Sequence, residues 1–587
     1  MDFLGLRNLT MIRDTVEQIH LTEPEFDINR IPLDDSEVYE MLSNGDTKGV
    51  FQLESEGMTQ KLTELRPERL EDLIVVISLY RPGPMKSIPV YIENKRDPSK
   101  IRYKHPLLKE ILADTYGCMV YQEQVMQICR KVAGYSYGHA DIVRRAMAKK
   151  KHDVMLKERE SFVRGAGERG VPAESANEIF DEMVSFASYA FNKSHAAAYA
   201  YLAYQTAYLK CHYKGSYMAS LMSSVMGMTG KLAEYVSSCR NSGIEVCRPD
   251  VNRSMTGFTY SEGKMYFGLL AIKNVGTGLA AGIAAERIKN GSFTGLQDFC
   301  ERMNGRELNK KALENLIKAG ALDGLGLNRR QMLENYESML EVTGSAGSGV
   351  IDGQLNLLGT DDSSQLNIRI PFKPEYDTKR LLMLEKEAAG MYISGSPLSG
   401  FGYITSLFHT TNVSSAVNCI GVKDGDQIKL LCTLQEKKMH VTKKGDRMCF
   451  LTIADDTGEI DAVVFPDLYA LSASKLTDER ILLINGRISV KDDSVSVICG
   501  SVFTEEELPQ LIGNMKLCIK TDTANMTVPP ELVRLCGNYP GTTKICFYLT
   551  DARKMIVPRN SMSIEISKAS FDELSALFDS SQTGLIS

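Results

Sequence analysis

Two short segments carry side chains suited to gripping a polyphosphate. Arg144-Arg145-Ala146-Met147-Ala148-Lys149-Lys150-Lys151 reads as a helix with a basic end. On a helix, Arg145 and Lys149 are four apart and share one face, while Arg144 and Lys151 are seven apart and share another. A nucleoside triphosphate carries several charges and is held by cations together with hydrogen-bond donors. A solvated basic helix is the competing explanation of a charge run, and on this segment alone it is the one to prefer. The second segment is Phe191-Asn192-Lys193-Ser194-His195, before an Ala- and Tyr-rich stretch predicted helical from Ala196 to Tyr213. Donors gathered at the positive end of a helix dipole make an anion site. Ser194 alone suffices as an N-cap, so Lys193 and His195 exceed what a cap requires. Tyr201, Tyr204 and Tyr208 form a stripe of the kind that is more often core than stacking platform.

Three further segments suggest binding. In Ala271-Ile272-Lys273-Asn274-Val275-Gly276-Thr277-Gly278, Gly276 and Gly278 let the backbone come close, and N–H groups at the start of the next helix can hold a phosphate without reading sequence. A second, degenerate copy lies near Leu316-Ile317-Lys318-Ala319-Gly320-Ala321-Leu322. Lys437, Lys438, Lys443, Lys444 and Arg447 cluster around a strand turn and can line a groove for a single strand, with solvated hairpin lysines as close competitor. Gln354-Leu355-Asn356-Leu357-Leu358 follows the linker-like Gly344-Ser345-Ala346-Gly347-Ser348-Gly349. A tethered peptide of that kind suits docking into an apolar pocket.

The elements that must position these residues change along the chain. Its 587 residues are too many for one core and predict three to five domains. Residues 10–260 read as mostly helical, with turns such as Arg81-Pro82-Gly83-Pro84 and Gly134. Two glycine-centred helix pairs follow near 265–325. From about 425 the period shifts to strands: Ile428–Leu434, Met448–Ala454, Ile460–Phe465, Arg480–Val490 and Val495–Phe503 predict a small barrel. Residues 514–587 read as α+β, with strands Leu517–Thr521 and Thr543–Leu549 and helices Pro530–Cys536 and Ser570–Phe578. The net charge of −6 averages over domains, whereas residues 144–159 hold seven Lys or Arg against two acidic residues. Thirteen cysteines without a C-x-x-C pair predict reduced core thiols rather than disulfides or zinc. No apolar run approaches a membrane span, and the acidic N-terminal stretch is not a signal peptide, so the expectation is a cytoplasmic protein with no membrane partner.

Asp2-Phe3-Leu4-Gly5-Leu6-Arg7, Gly49-Val50-Phe51-Gln52-Leu53-Glu54-Ser55, Arg81-Pro82-Gly83-Pro84, Tyr121-Gln122-Glu123-Gln124-Val125-Met126, Arg144-Arg145-Ala146-Met147 and Phe191-Asn192-Lys193-Ser194-His195 occur in this order. As an ordered set they resemble the C-family polymerases, the alpha subunits of bacterial DNA polymerase III. The match is tight over about residues 1–215, and the domain order extends it.

The resemblance implies a multidomain chain, mostly α in its first half, followed by an OB-fold barrel and a small α+β domain. Its parts would be the end of the palm (1–9), the fingers (10–260), a helix-hairpin-helix region (261–340), a linker (341–424) holding the clamp-binding peptide 354–358, the OB-fold (425–505) and the C-terminal domain (510–587). It implies Asp2 as one of three palm aspartates at a two-Mg²⁺ site. The other two are expected upstream of Met1, so the chain alone is not expected to polymerise. Arg144, Arg145, Lys149, Lys150, Lys151, Asn192, Lys193, Ser194 and His195 would bind the deoxynucleoside triphosphate. Gln122 and Glu123 would orient neighbours or substrate. Lys273, Gly276, Gly278, Lys443, Lys444 and Arg447 would contact primer-template DNA. Gln354, Leu355, Leu357 and Leu358 would dock on the beta sliding clamp, with Leu358 where an aromatic is often found. The clamp loader is a further implied partner. The alternative is a non-catalytic DNA- and clamp-binding module.

Overall fold

A computed structural model describes residues 5–148, 152–187, 190–305, 307–347, 370–417, 419, 421–491, 494–523, 528–558, 562–579 and 582–586. The chain divides into two compact units: residues 1–226 with 242–245 and 257–266, and residues 227–241 and 246–256 with 267–587.

The first unit is mostly helical, with a short antiparallel hairpin at Thr259–Ser261 and Lys264–Tyr266. Its elements include α1 (Arg7–Ile19), α2 (Ser36–Ser43), α3 (Leu70–Leu79), α4 (Gln122–Ala133), α5 (Tyr137–Ala148), α6 (His152–Gly167), α7 (Ala173–Ala187), α8 (Lys193–His212) and α9 (Lys214–Ser224). Ala196, Ala200, Ala203 and Ala207 of α8 recur at helical spacing and are fully buried. This small-residue face lets the apolar α3, with Leu73 and Val76, share a core with α8. A second core joins α4 to α7 through Val125, Val132, Val143, Phe162, Ile179 and Phe180. At the start of α4, the Gln124 side chain accepts from the backbone N–H groups of Val120 and Tyr121 at 2.8 and 3.0 Å. The helix ends at Gly134, whose φ of +74° suits the left-handed C-cap.

Two local expectations are corrected. The helix expected from Ala196 begins at Lys193, and its cap is Asn192 rather than Ser194: Asn192 Oδ1 accepts from the His195 N–H at 2.9 Å. Asn and Ser cap about equally well, so position decides. Lys193, Ser194 and His195 therefore form the first helical turn. Tyr204, in the middle of the tyrosine stripe, is fully buried core.

The helices of the second unit include α10 (Thr277–Asn290), α11 (Leu296–Met303), α12 (Lys310–Lys318), α13 (Arg329–Gly347) and α14 (Thr378–Ala389). A closed barrel follows, made of β1 (Gln427–Val441), β2 (Arg447–Asp455), β3 (Gly458–Val464), β4 (Ile481–Lys491) and β5 (Ser494–Thr504), with α15 (Pro466–Ser472) between β3 and β4. The strand order is β1-β2-β3-β5-β4, and β3 and β5 pair in parallel. The first strand runs seven residues beyond its predicted end at Leu434. Glu436–Val441 continue pairing with Thr452–Arg447, and Gly445 (φ +89°) sits in the turn. The C-terminal part is α+β: β6 (Lys516–Thr521), α16 (Pro530–Asn538), β7 (Thr543–Leu549), β8 (Lys554–Ile556), β9 (Ser563–Ile564), α17 (Lys568–Leu577) and β10 (Thr583–Ile586). Its sheet has the order β8-β7-β6-β10, with β9 also on β7 and β6 parallel to β7. The architecture is thus a mostly α region, a five-stranded barrel and a small α+β domain. No helix among the described residues is long and apolar enough to cross a membrane.

Candidate functional site

The two polyphosphate-type segments meet through the chain around residues 120–123. Tyr121 and Phe191 form a parallel β-bridge, and the Gln122 N–H donates to the Phe191 carbonyl at 2.9 Å. This pairing sets the starts of α4 and α8 side by side. Gln122 Nε2 donates to the Ala190 carbonyl (3.0 Å), while its Oε1 accepts from Arg144 Nη1 of α5 (2.9 Å). Glu123 accepts from Asn192 Nδ2 (3.1 Å) and from the Lys193 N–H (3.1 and 3.2 Å to its two oxygens). Gln122 thus links Arg144 to the turn, and Glu123 braces the turn itself. The sequence named both residues without separating an orienting role from a substrate-binding one. In the structure their hydrogen bonds go to neighbouring protein groups.

The electrostatics fit an anion. Arg144 and Arg145 grip one carboxylate, Asp141, at 2.8 and 2.7 Å. The hydrogen bonds and charge of Arg144, more than those of Arg145, hold the Asp141 carboxyl below its usual range. Arg144 is packed in, whereas the Arg145 side chain is 68% exposed. Asn192, Lys193, Ser194 and His195 are exposed at the start of α8. The Lys193 ammonium lies 5.3 Å from the Tyr121 ring centre, and His195 is flanked by Phe191 and Tyr199. Arg81 stacks on the Phe191 ring at 3.4 Å, and burial lowers its guanidinium pKa. The turn Arg81-Pro82-Gly83-Pro84 thereby supports the ring beside the candidate site. Lys149, Lys150, Lys151 and Asp2 lie outside the described residues, as does the peptide 354–358.

In the second unit, α10 starts at the predicted glycine turn with Gly276 as N-cap. Lys273 turns toward α14: its N–H donates to the Ala388 carbonyl and its Nζ to the Glu387 carbonyl, both at 2.8 Å. The start of α10 itself presents the N–H groups of Gly276, Thr277 and Gly278, which lie ahead of the first intrahelical bonds. A Cβ on Gly278 would come within 2.5 Å of Glu307 Oε2, so a carboxylate stands over the helix start. The second glycine turn has a different use. Gly320 (φ +80°) leaves room for buried Arg329, which bonds Asp323 (2.9 Å), Glu385 (3.1 Å) and the Lys318 carbonyl (3.2 Å). That copy is an internal ion network.

On the barrel, Lys443 and Lys444 are exposed in the β1–β2 turn, and Arg447 pairs with Val441 at its base. Lys437 Nζ donates to the Leu476 carbonyl (2.6 Å), and Lys438 pairs with Glu436 (3.0 Å). Phe450, directly across from Lys438, is 44% exposed with its ring 5.8 Å from His440. The sequence reading passed over Phe450, although in–out alternation along Cys449-Phe450-Leu451 places it on the outer face.

Among the described residues, one grouping has metal-ligand character: Glu37, Cys211 and His212. Thiol and imidazole donors do not suit hard Mg²⁺, which takes oxygen, so these residues are not a Mg²⁺ site.

Comparison with known proteins places these parts. Residues 8–170 match the bacterial DNA polymerase III alpha subunit finger domain, 243–332 a helix-hairpin-helix motif, and 433–504 an OB-fold nucleic acid binding domain. The DNA polymerase III subunit alpha of Borreliella burgdorferi is 37% identical over 563 residues, covering 94% of this chain and 49% of the relative. That of Thermus aquaticus is 41% identical over 551 residues, covering 93% and 45%. That of Bacillus subtilis is 36% identical over 558 residues, covering 95% and 49%. The chain spans about half the length of the curated relatives it matches. With finger, helix-hairpin-helix and OB-fold regions in that order, the chain belongs to the family of bacterial DNA polymerase III alpha subunits.

Proposed function

We propose that this chain supplies nucleotide binding, DNA grip and clamp tethering to a template-directed DNA polymerase. The supporting observation is the Gln122–Glu123 junction, which links the arginine helix to the exposed start of α8. Arg144, Arg145, Lys193 and His195 contact the phosphates of an incoming deoxynucleoside triphosphate, and Lys149, Lys150, Lys151, Asn192 and Ser194 complete the nucleotide-binding set. Gln122 and Glu123 act as positioning residues. Two Mg²⁺ ions, when bound, supply activation of the primer hydroxyl and stabilisation of the leaving pyrophosphate. Asp2 is the residue of this chain assigned to them, and one carboxylate is too few for a two-metal site. On this reading the chain alone does not carry out phosphoryl transfer.

The N–H groups at Gly276 and Gly278, with Lys273 released from α14, hold duplex phosphate. Lys443, Lys444 and Arg447, with Phe450 as a stacking face, follow single-stranded template. Gln354, Leu355, Leu357 and Leu358 tether the chain to the beta sliding clamp, making the DNA contact effectively intramolecular. The clamp loader is a further holoenzyme partner.

Equilibrium binding of a deoxynucleoside triphosphate tests the central assignment. Lys193→Ala and Arg145→Ala, both at exposed positions, are each expected to weaken binding about tenfold or more, the loss of one charge-assisted hydrogen bond. Thermal melting should stay near that of the parent chain. Undiminished triphosphate binding in both variants, or equal binding of the unphosphorylated nucleoside, overturns the assignment.

A further inference from the structure

Helix α8 carries the candidate nucleotide turn at its start and an unassigned cluster at its end. Cys211 and His212 lie in its last turn, and Glu37 lies in the first turn of α2. One ligand atom from each of the three falls within 4.8 Å of the others. A fourth residue orients the imidazole. Asp35 caps α2 with Oδ1, accepting from the N–H groups of Glu37 (2.9 Å) and Val38 (3.3 Å). Its Oδ2 lies 2.9 Å from His212 Nε2. A carboxylate accepts from Nε2–H, and a neutral imidazole held that way offers Nδ1 to a metal. A carboxylate holding the second ring nitrogen is the usual companion of a metal-bound histidine. The Tyr208 ring, 4.5 Å from that of His212, further limits the imidazole plane.

From this geometry we propose that Glu37, Cys211 and His212 form a binding site for a zinc-class divalent cation, with Asp35 orienting His212. Sulfur, nitrogen and one carboxylate oxygen are zinc-type donors, and a water completes a tetrahedron. Bond lengths of about 2.0–2.3 Å require ligand atoms roughly 3.3–3.8 Å apart, so side-chain adjustments of about 1 Å close the site. The Glu37 carboxylate within the cluster and the Asp35 carboxylate on His212 give the site a negative surrounding that a divalent cation complements, and metal binding displaces the thiol proton. The site would clip the start of α2 to the end of α8 and so steady the helix that presents Asn192–His195. The ligands come from distant parts of the sequence, and this is why the absence of C-x-x-C spacing did not bear on it.

The test is titration of the chain with Co²⁺, followed by competition with Zn²⁺. One equivalent should bind with a thiolate-to-cobalt charge-transfer band in the near ultraviolet and visible bands of tetrahedral intensity, both removed by zinc. Cys211→Ser should abolish the charge-transfer band, while Cys419→Ser, at an exposed cysteine, should leave it intact. Glu37→Gln, an exposed change that keeps the shape, should weaken affinity about tenfold or more, and it keeps the test decisive if Cys211→Ser does not fold. The absence of stoichiometric uptake overturns the proposal. So does a charge-transfer band that persists in Cys211→Ser, or unchanged affinity in Glu37→Gln.

Discussion

Lys210 is a charged side chain with no exposed surface, and its ammonium bonds Asp46 through both the carboxylate (2.5 Å) and the backbone carbonyl (2.8 Å). Burial lowers the Lys210 pKa, opposed by Asp46. Burial also raises the Asp46 carboxyl, but Lys210 and Lys214 more than offset this and hold it below its ordinary value. Removing one partner of such a pair strands the other. Because Asp46 is 42% exposed, Asp46→Asn is expected to cost about 2–3 kcal/mol rather than the larger loss of a fully buried pair. The pH dependence has a definite sign. A depressed carboxyl stabilises the fold above its unfolded value of about 4 and loses that contribution as pH falls through the folded value. Urea unfolding should therefore show a gap between parent and variant that is full at pH 7 and narrows below about pH 4. A gap constant with pH would show that the pair is not the source. At this same scale, the chemical types of the candidate site were legible: cations at 144–145 and a polar turn at 192–195. The partner choices were not. That Gln122 would bond Arg144, or that Asn192 rather than Ser194 would cap α8, depends on atoms brought together by the Tyr121–Phe191 bridge across some seventy residues.

Regular elements were more legible than their uses. The five barrel strands follow from β-branched runs, with glycine turns at the first two connections, and all but the first were found close to their predicted spans. The extra length of β1 was hidden because Glu436, Lys437 and Lys438 carry no apolar alternation. The two glycine turns look alike in sequence yet differ in surroundings, since what fills the space at each glycine comes from elsewhere: Glu307 at Gly278 and Arg329 at Gly320. The Glu307 carboxylate now sits where a DNA phosphate is expected to approach the start of α10. Glu307→Gln removes a like charge from that position. It is expected to tighten duplex binding by up to about fivefold at low salt, equivalent to about 1 kcal/mol, with a smaller gain at high salt. Weaker or unchanged binding would move the phosphate contact away from this helix start.

Over the whole molecule, a net charge of −6 coexists with local basic surfaces at Arg144–Arg145, at the start of α8 and at the β1–β2 turn. Local fields, not the average, decide where phosphate binds. On the proposed reading, in which Asp2 is the one palm carboxylate of this chain, it should hold DNA and nucleotide without joining them. One preparation of the chain with primer-template DNA, four deoxynucleoside triphosphates and Mg²⁺ measures this directly, following DNA retention and primer length together. The predicted result is retention that falls at least about tenfold between roughly 50 and 200 mM salt as phosphate contacts release counterions, with no primer extension. Salt-independent retention would contradict the phosphate contacts, and extension would mean that the catalytic carboxylates lie within these 587 residues.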